Sequence, residues 1–128
     1  MKICVSASSD SLDANVDSRF GRCPYFMIVD SETMEFSAIS NDSTNAAHGA
    51  GIQAAQTVVN MGAKVVITGN VGPNAFNVLS ATGIKIVTGA SGSVKEVVEK
   101  YKSGQLKETG NPTVGGHFSI GKGQGRGR

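Results

Sequence analysis

The chain contains 128 residues, 39% of them hydrophobic and without a long apolar run, which favours a single domain and excludes a membrane span. Its formal net charge is +2, and that excess lies at the C-terminus, so a nucleic-acid ligand for the rest of the chain is not indicated. Because the N-terminus lacks a secretory apolar stretch and two cysteines are too few for a disulfide scaffold, we expect a cytoplasmic protein with reduced thiols.

Hydrophobic patterning predicts five strands and three helices in the order β-β-β-α-β-α-β-α. The strands are expected at residues 2–7, 25–29, 34–39, 65–67 and 84–87. The helices are expected from His48 to Met61, from Pro73 to Gly83 and from Ser93 to Gly104. Pro73 suits a first helical position, and Ser93 with Glu96 has the spacing of a capping box, so two of the three helix starts carry a specific signal.

The last 19 residues differ in composition from the rest of the chain. Residues 110–128 hold 7 of the 17 glycines and three basic residues without an acid, so they carry +3 and leave −1 for residues 1–109. We predict a folded domain over residues 1–108 and a disordered Gly/Arg-rich tail over residues 109–128. Contact of this tail with RNA or an acidic partner is one functional hypothesis.

The element order predicts an α/β fold with three layers, α/β/α. We expect a five-stranded mixed sheet in the order 3-2-1-4-5 with only strand 2 antiparallel, because the first three strands form a meander and the last two follow right-handed crossovers. This is a ribonuclease H-like topology. Nuclease activity is not implied, since the first strand carries no acid and no carboxylate constellation for two-metal chemistry is present.

Small and polar residues follow the carboxyl ends of the predicted strands, where ligands of open α/β sheets bind. Three predicted helix N-termini point to this edge, and each offers free N–H groups and a partial positive charge. With two arginines they predict a site for an anion such as a phosphate, an oxoanion or a negatively charged metal–sulfur cluster. The candidate binding residues are Arg19, Arg22, Gly49, Gly69, Asn70, Gly72 and Ser91.

His48 and Cys23 are the candidate metal ligands. His48 begins the first predicted helix, whose field disfavours imidazolium and leaves a neutral ring able to bind a metal. The alternative is a histidine that only forms local hydrogen bonds. Cys23 is either a partly activated thiol near a positive helix end or a structural cysteine, and Cys4 is expected in the core.

The other candidates also have structural alternatives. The two arginines, Arg19 and Arg22, could pair only with Asp13 or Asp17 in their own loop. Asn70 and Asn74 could cap the second helix, and Phe20 is expected to hold the first loop against the core.

Three segments resemble a known family. They are SRFGRCPYFMIV at residues 18–29, HGAGIQAA at residues 48–55 and VITGNVGPNAF at residues 66–76. In this order they are similar to the dinitrogenase iron–molybdenum cofactor biosynthesis family, which includes NifX-like domains and the C-terminal part of NifB. The resemblance covers about residues 1–108 and leaves the tail outside.

The resemblance implies a ribonuclease H-like fold and a non-catalytic carrier. The cargo would be iron–molybdenum cofactor, an iron–sulfur precursor or another molybdenum-containing cluster, passed between donor and acceptor assembly proteins, and the isolated protein could hold none. His48, and secondarily Cys23, match the position of family cluster ligands, while Arg19 and Arg22 would meet the anionic charge. We expect a monomer without a membrane partner. The alternative function is binding of a phosphate-bearing small molecule without metal.

Overall fold

The computed structural model describes residues 1–41 and 49–113. The five strands are β1 (Lys2–Ala7), β2 (Tyr25–Asp30), β3 (Phe36–Ser40), β4 (Val65–Ile67) and β5 (Lys85–Val87). The three helices are α1 (Ala50–Asn60), α2 (Pro73–Ala81) and α3 (Val94–Lys102). A single 3₁₀ turn (Phe20–Arg22) interrupts the long loop between β1 and β2.

The strands form one sheet in the order β3-β2-β1-β4-β5. β2 runs antiparallel to both β1 and β3, whereas β4 runs parallel to both β1 and β5. The register places Cys4 of β1 opposite Ile28 of β2 and Val66 of β4. The predicted three-layer fold, strand order and antiparallel strand 2 are therefore confirmed.

Alternate residues of the strands supply two separate cores. On one face Cys4, Ile28 and Val66 pack with buried residues of α1 and α2. On the other face Ile3 and Val5 pack with buried residues of α3. Because side chains alternate along a strand, the short apolar run of β1 serves both cores and places α3 on the opposite side of the sheet from α1 and α2.

Local sequence features set where α2, α3 and β3 begin. Pro73 lies in the first turn of α2, as predicted. The predicted capping box of α3 is also formed. The Ser93 hydroxyl accepts the Glu96 N–H at 3.1 Å, and the Glu96 carboxylate accepts the Ser93 N–H at 2.9 Å. Strand β3 starts two residues later than predicted because Met34 has a positive φ of 63° and donates its N–H to Asp30 O, which closes the β2–β3 turn.

Hydrogen bonds to the domain continue past residue 108, where we expected the folded domain to end. Thr109 donates its N–H to Ile86 O at 2.6 Å, and Thr113 donates its N–H to Val71 O at 2.9 Å. Residues 109–113, predicted as the start of the tail, are therefore hydrogen-bonded to the sheet and to the turn after β4. The rest of that tail, residues 114–128, lies outside the described residues, and so does His48. Within the described ranges, no helix is long and apolar enough to span a bilayer.

Candidate functional site

A cavity of about 490 Å³ lies at the carboxyl edge of β1 and β4. Three segments line it: the loop around the 3₁₀ turn (residues 19–22), the first turn of α1 (residues 49–52) and the segment that leads into α2 (Asn70 and residues 72–75). Since β1 and β4 are adjacent and parallel, the chain leaves both strands at the same edge, as the sequence predicts for this topology.

Backbone hydrogen bonds hold the first loop to the turn after β4. Asn70 donates its N–H to Ser18 O at 2.8 Å, and Phe20 donates its N–H to Asn70 O at 3.2 Å. At the base of the loop, Asp17 donates its N–H to Ser6 O at 2.8 Å. Residues 17–20 of the loop are thus held by backbone hydrogen bonds on both sides of Arg19, which lines the cavity.

Two glycines permit this close packing. A Cβ atom on Gly69 would lie only 2.6 Å from Ser18 Cα, and one on Gly21 would lie 3.0 Å from Gly51 Cα. Gly69 was expected to let a ligand approach the backbone, but it does not line the cavity and instead makes room for Ser18. The close approach that the structure shows at Gly69 is between two backbone segments.

Phe20 anchors the 3₁₀ turn. Its side chain is only 2% exposed and its ring lies 5.5 Å from that of Phe26, within the core shared with α1 and α2. Asn41, at the end of β3, donates its side-chain N–H to Cys23 O at 2.8 Å and to Gly21 O at 3.2 Å. The predicted role of Phe20 as an anchor is confirmed, and Asn41 is a support that the sequence did not indicate.

The N-termini of α1 and α2 both open onto the cavity. Their N-cap residues are Gly49 and Gly72; among residues 1–41 and 49–113 no side-chain cap hydrogen bond is made at either helix start, and neither first turn holds an acidic residue. The alternative that Asn70 or Asn74 caps α2 is therefore wrong. Uncapped first-turn N–H groups and the helix dipole make this wall a donor surface with partial positive charge.

The third helix N-terminus does not take part. The α3 helix packs on the other face of the sheet, and its first turn is already satisfied by its own capping box. Ser91, which precedes this cap, is exposed and does not line the cavity. Two helix N-termini, and not the three that we expected, therefore meet at the cavity. The third lies elsewhere because α3 packs on the opposite face of the sheet.

Arg19 and Arg22 add formal charge to the cavity wall. Asp17 accepts hydrogen bonds from the Arg19 backbone N–H at 2.8 Å and from Arg19 Nε at 3.3 Å, so the predicted local pairing is confirmed for Arg19. The hydrogen bond and charge of Asp17 raise the pKa of the guanidinium. Arg19 nevertheless lines the cavity, as do Arg22 and Asn70, and the described lining contains no carboxylate.

Cys23 lies in the core and not in the cavity. Its side chain is fully buried, and its Sγ atom lies 3.2 Å from Phe20 O, to which it donates. Burial, followed by the charge of Asp17, raises the pKa of the thiol to about 12, whereas a metal ligand must be a thiolate. The structure favours the structural alternative for Cys23 and places Cys4 in the core as expected.

Metal-ligating side chains are not grouped in the part of the chain that the structure describes. No cluster of three or more His, Cys, Asp or Glu residues able to hold a metal ion occurs within residues 1–41 and 49–113. His48 is outside these ranges, although it directly precedes the cavity residue Gly49 in the chain. The described site is therefore built from N–H groups, guanidinium groups and apolar side chains such as Ile52.

The chain thus has a three-layer α/β fold, and at the carboxyl edge of its sheet lies a cavity lined by two helix N-termini and two arginines. The sequence profile described as dinitrogenase iron-molybdenum cofactor matches residues 1–104, so the chain belongs to that family. The resemblance seen in the three sequence segments is thereby confirmed.

Individual relatives agree with the family. The apo form of the orange protein from Desulfovibrio gigas superposes with a TM-score of 0.86 and 40% identity, over 88% of this chain and 96% of that one. A Thermotoga protein provisionally described as NifB superposes with a TM-score of 0.73 and 33% identity, over 84% and 91% of the two chains. An uncharacterized Methanocaldococcus jannaschii protein is 32% identical over 84% of this chain and 91% of its own length.

Proposed function

We propose that this protein is a non-catalytic carrier of an anionic metal–sulfur cluster. The cargo is an iron–sulfur or iron–molybdenum–sulfur cluster, which the protein receives from one cytoplasmic assembly protein and passes to another. The observation that carries the proposal is the convergence of two helix N-termini with glycine N-caps and of two arginines on one cavity whose described lining has no carboxylate.

The chemistry of the lining suits such a cargo. The sulfide and oxo groups at the surface of a cluster accept hydrogen bonds, and the amides of α1 and α2 with the guanidinium groups of Arg19 and Arg22 are donors. Ile52 and Pro73 add apolar contacts, and apolar surroundings strengthen these electrostatic interactions.

The comparisons support the same cargo. The family is described by dinitrogenase iron-molybdenum cofactor, one structural relative is described as NifB, and another was solved as an apo form. We propose His48 as the residue that contacts the cargo directly, because it precedes Gly49 at the start of α1. Cys23 is not proposed as a ligand, since it would have to leave the core and ionise.

Anaerobic reconstitution tests this proposal. The protein is incubated with iron, sulfide and molybdate, desalted, and measured by visible absorbance and metal analysis. We expect a stoichiometric chromophore that is weakened by the double change Arg19→Gln and Arg22→Gln and by His48→Ala, while Cys23→Ala retains it. If wild type holds no metal, even when the cluster is offered preassembled, the carrier function is wrong.

A phosphate-bearing small molecule is the second candidate. It is favoured by one specific observation: within residues 1–41 and 49–113, no metal-ligating cluster accompanies the anion-binding donors. Calorimetry with inorganic phosphate and nucleotides separates the two candidates. Binding of a phosphate compound that is lost in the double arginine variant, together with failure to retain metal, would favour this second function.

A further inference from the structure

The segment after α3 returns to the turn after β4, which contributes residues to the cavity wall. Residues 105–113, called here the strap, are joined to the domain at two threonines. Thr109 contacts the outer edge of the sheet: its N–H is donated to Ile86 O, and its hydroxyl accepts the Thr88 N–H at 3.1 Å. Thr113 contacts the turn after β4. The family match ends at residue 104, so the strap lies beyond the matched region.

Thr113 and Val71 form a reciprocal pair. The Thr113 hydroxyl accepts the Val71 N–H at 2.8 Å, and Val71 O accepts the Thr113 N–H at 2.9 Å. Both backbone polar groups of Val71 are thereby used, and its side chain is 1% exposed in the core under α1 and α2. Val71 cannot shift without breaking these contacts.

Val71 stands between two residues of the cavity wall, Asn70 and Gly72. Asn70 is already held by the first loop, and Gly72 is the N-cap of α2. The Thr113–Val71 pair therefore fixes the short connection that sets where the α2 N-terminus points. We propose that Thr113 is a positioning residue of the anion site, acting from the strap through Val71.

This inference rests on the proposed function only for its effect on affinity, because the effect on the turn can be measured without a ligand. Thr109 provides a matched control: it lies in the same strap and also uses its hydroxyl and N–H, but it contacts β5, away from the cavity. Both threonines can be changed to valine, which keeps the shape and removes the hydroxyl.

The experiment compares Thr113→Val, Thr113→Ser and Thr109→Val in the full chain. Amide hydrogen exchange is measured at Asn70 and Val71, whose N–H groups are hydrogen-bonded, and affinity is measured with tetrathiomolybdate and inorganic phosphate. Thr113→Val should speed exchange at these amides and weaken anion binding, each roughly three- to tenfold, as expected for one lost hydrogen bond. Thr113→Ser should restore both, and Thr109→Val should leave affinity within about twofold of wild type.

The outcomes test the positioning role of Thr113 separately from the proposed anion binding. Equal effects of Thr113→Val and Thr109→Val on exchange at the turn would overturn the positioning role and indicate general destabilisation. Unchanged affinity in Thr113→Val, with wild type binding the anion, would overturn it as well. If wild type binds neither probe, the proposed function fails at this site, while the exchange data still decide whether the strap holds the turn.

Discussion

Gly69→Ala tests whether the close packing of the first loop on the turn after β4 builds the cavity. Gly69 has no positive φ, so an alanine there meets no backbone strain, and its effect is purely steric. The new methyl group would lie 2.6 Å from Ser18 Cα, 2.9 Å from its Cβ and 3.1 Å from its carbonyl oxygen. Ser18 Cα and O are backbone atoms and Cβ is fixed by the backbone, so none of the three can rotate away as the end of a flexible side chain could.

The size of the effect follows from these distances. Relief of the 2.6 Å contact requires the two segments to separate by roughly 1 Å, since carbon atoms pack at about 3.5–4.0 Å. Such a shift would break the 2.8 Å hydrogen bond from Asn70 N to Ser18 O and weaken the one from Phe20 N to Asn70 O. Overpacking and lost hydrogen bonds together should cost about 2–4 kcal/mol of unfolding free energy.

Urea denaturation of Gly69→Ala measures this cost, and anion titration of the folded variant measures the effect on the site. We expect a lower urea midpoint with an unchanged slope, and a melting temperature reduced by roughly 6–16 °C. We also expect weaker anion binding, because Arg19 follows Ser18 and Asn70 follows Gly69 in the chain. Separation of the two segments would therefore move both of these cavity residues.

Gly110→Ala is the matched control. A Cβ atom on Gly110 would meet nothing within 4 Å, and its φ is not positive, so the same substitution should change the free energy of unfolding by less than about 0.5 kcal/mol. Near-wild-type stability of Gly69→Ala would refute the reasoning, because it would mean that the loop is not held against the turn at this distance.

Three further predictions concern other contacts. Phe20→Ala should lower the unfolding free energy by about 3–5 kcal/mol in denaturation experiments, since it empties a buried site beside Phe26, and a loss below 1 kcal/mol would contradict its role as an anchor. Ser93→Ala should cost about 1 kcal/mol by removing the α3 cap, yet leave anion affinity unchanged, because that helix end is outside the cavity; weaker binding would contradict this. The buried Cys23 thiol, with a pKa near 12, stays protonated when the unfolded chain ionises, so the unfolding free energy should fall as pH rises from about 9 toward 12. Cys23→Ala should reduce that slope by up to about 1.4 kcal/mol per pH unit, and an unchanged slope would show that the thiol is not protected.

Much of the fold could be predicted from the sequence because its signals are local. The apolar runs of β1 and β4, Pro73 at the start of α2 and the Ser93–Glu96 capping box each depend on residues within one turn or one strand. The strand order followed from the element order, since crossovers are right-handed. The arginines at the carboxyl edge were predicted for the same reason: parallel strands end together.

The details of the site depend on contacts between residues far apart in the chain. Gly69 and Ser18 are 51 positions apart, and no local pattern reveals that one needs room for the other. The thiol of Cys23 was ambiguous because a single cysteine looks the same in a core and in a pocket; its burial follows from the packing of Phe20 and Asn41.

The elements, their order and the edge of the sheet where the cavity lies could all be predicted from the sequence, because secondary-structure signals and crossover handedness act over short segments. Which helix ends share the cavity, and which glycines allow two backbones to pack closely, became clear only from the folded chain. The same holds for the contact of Thr113 with Val71. These outcomes depend on which face each helix covers and on how loops pack, and both arise only when distant segments compete for the same space.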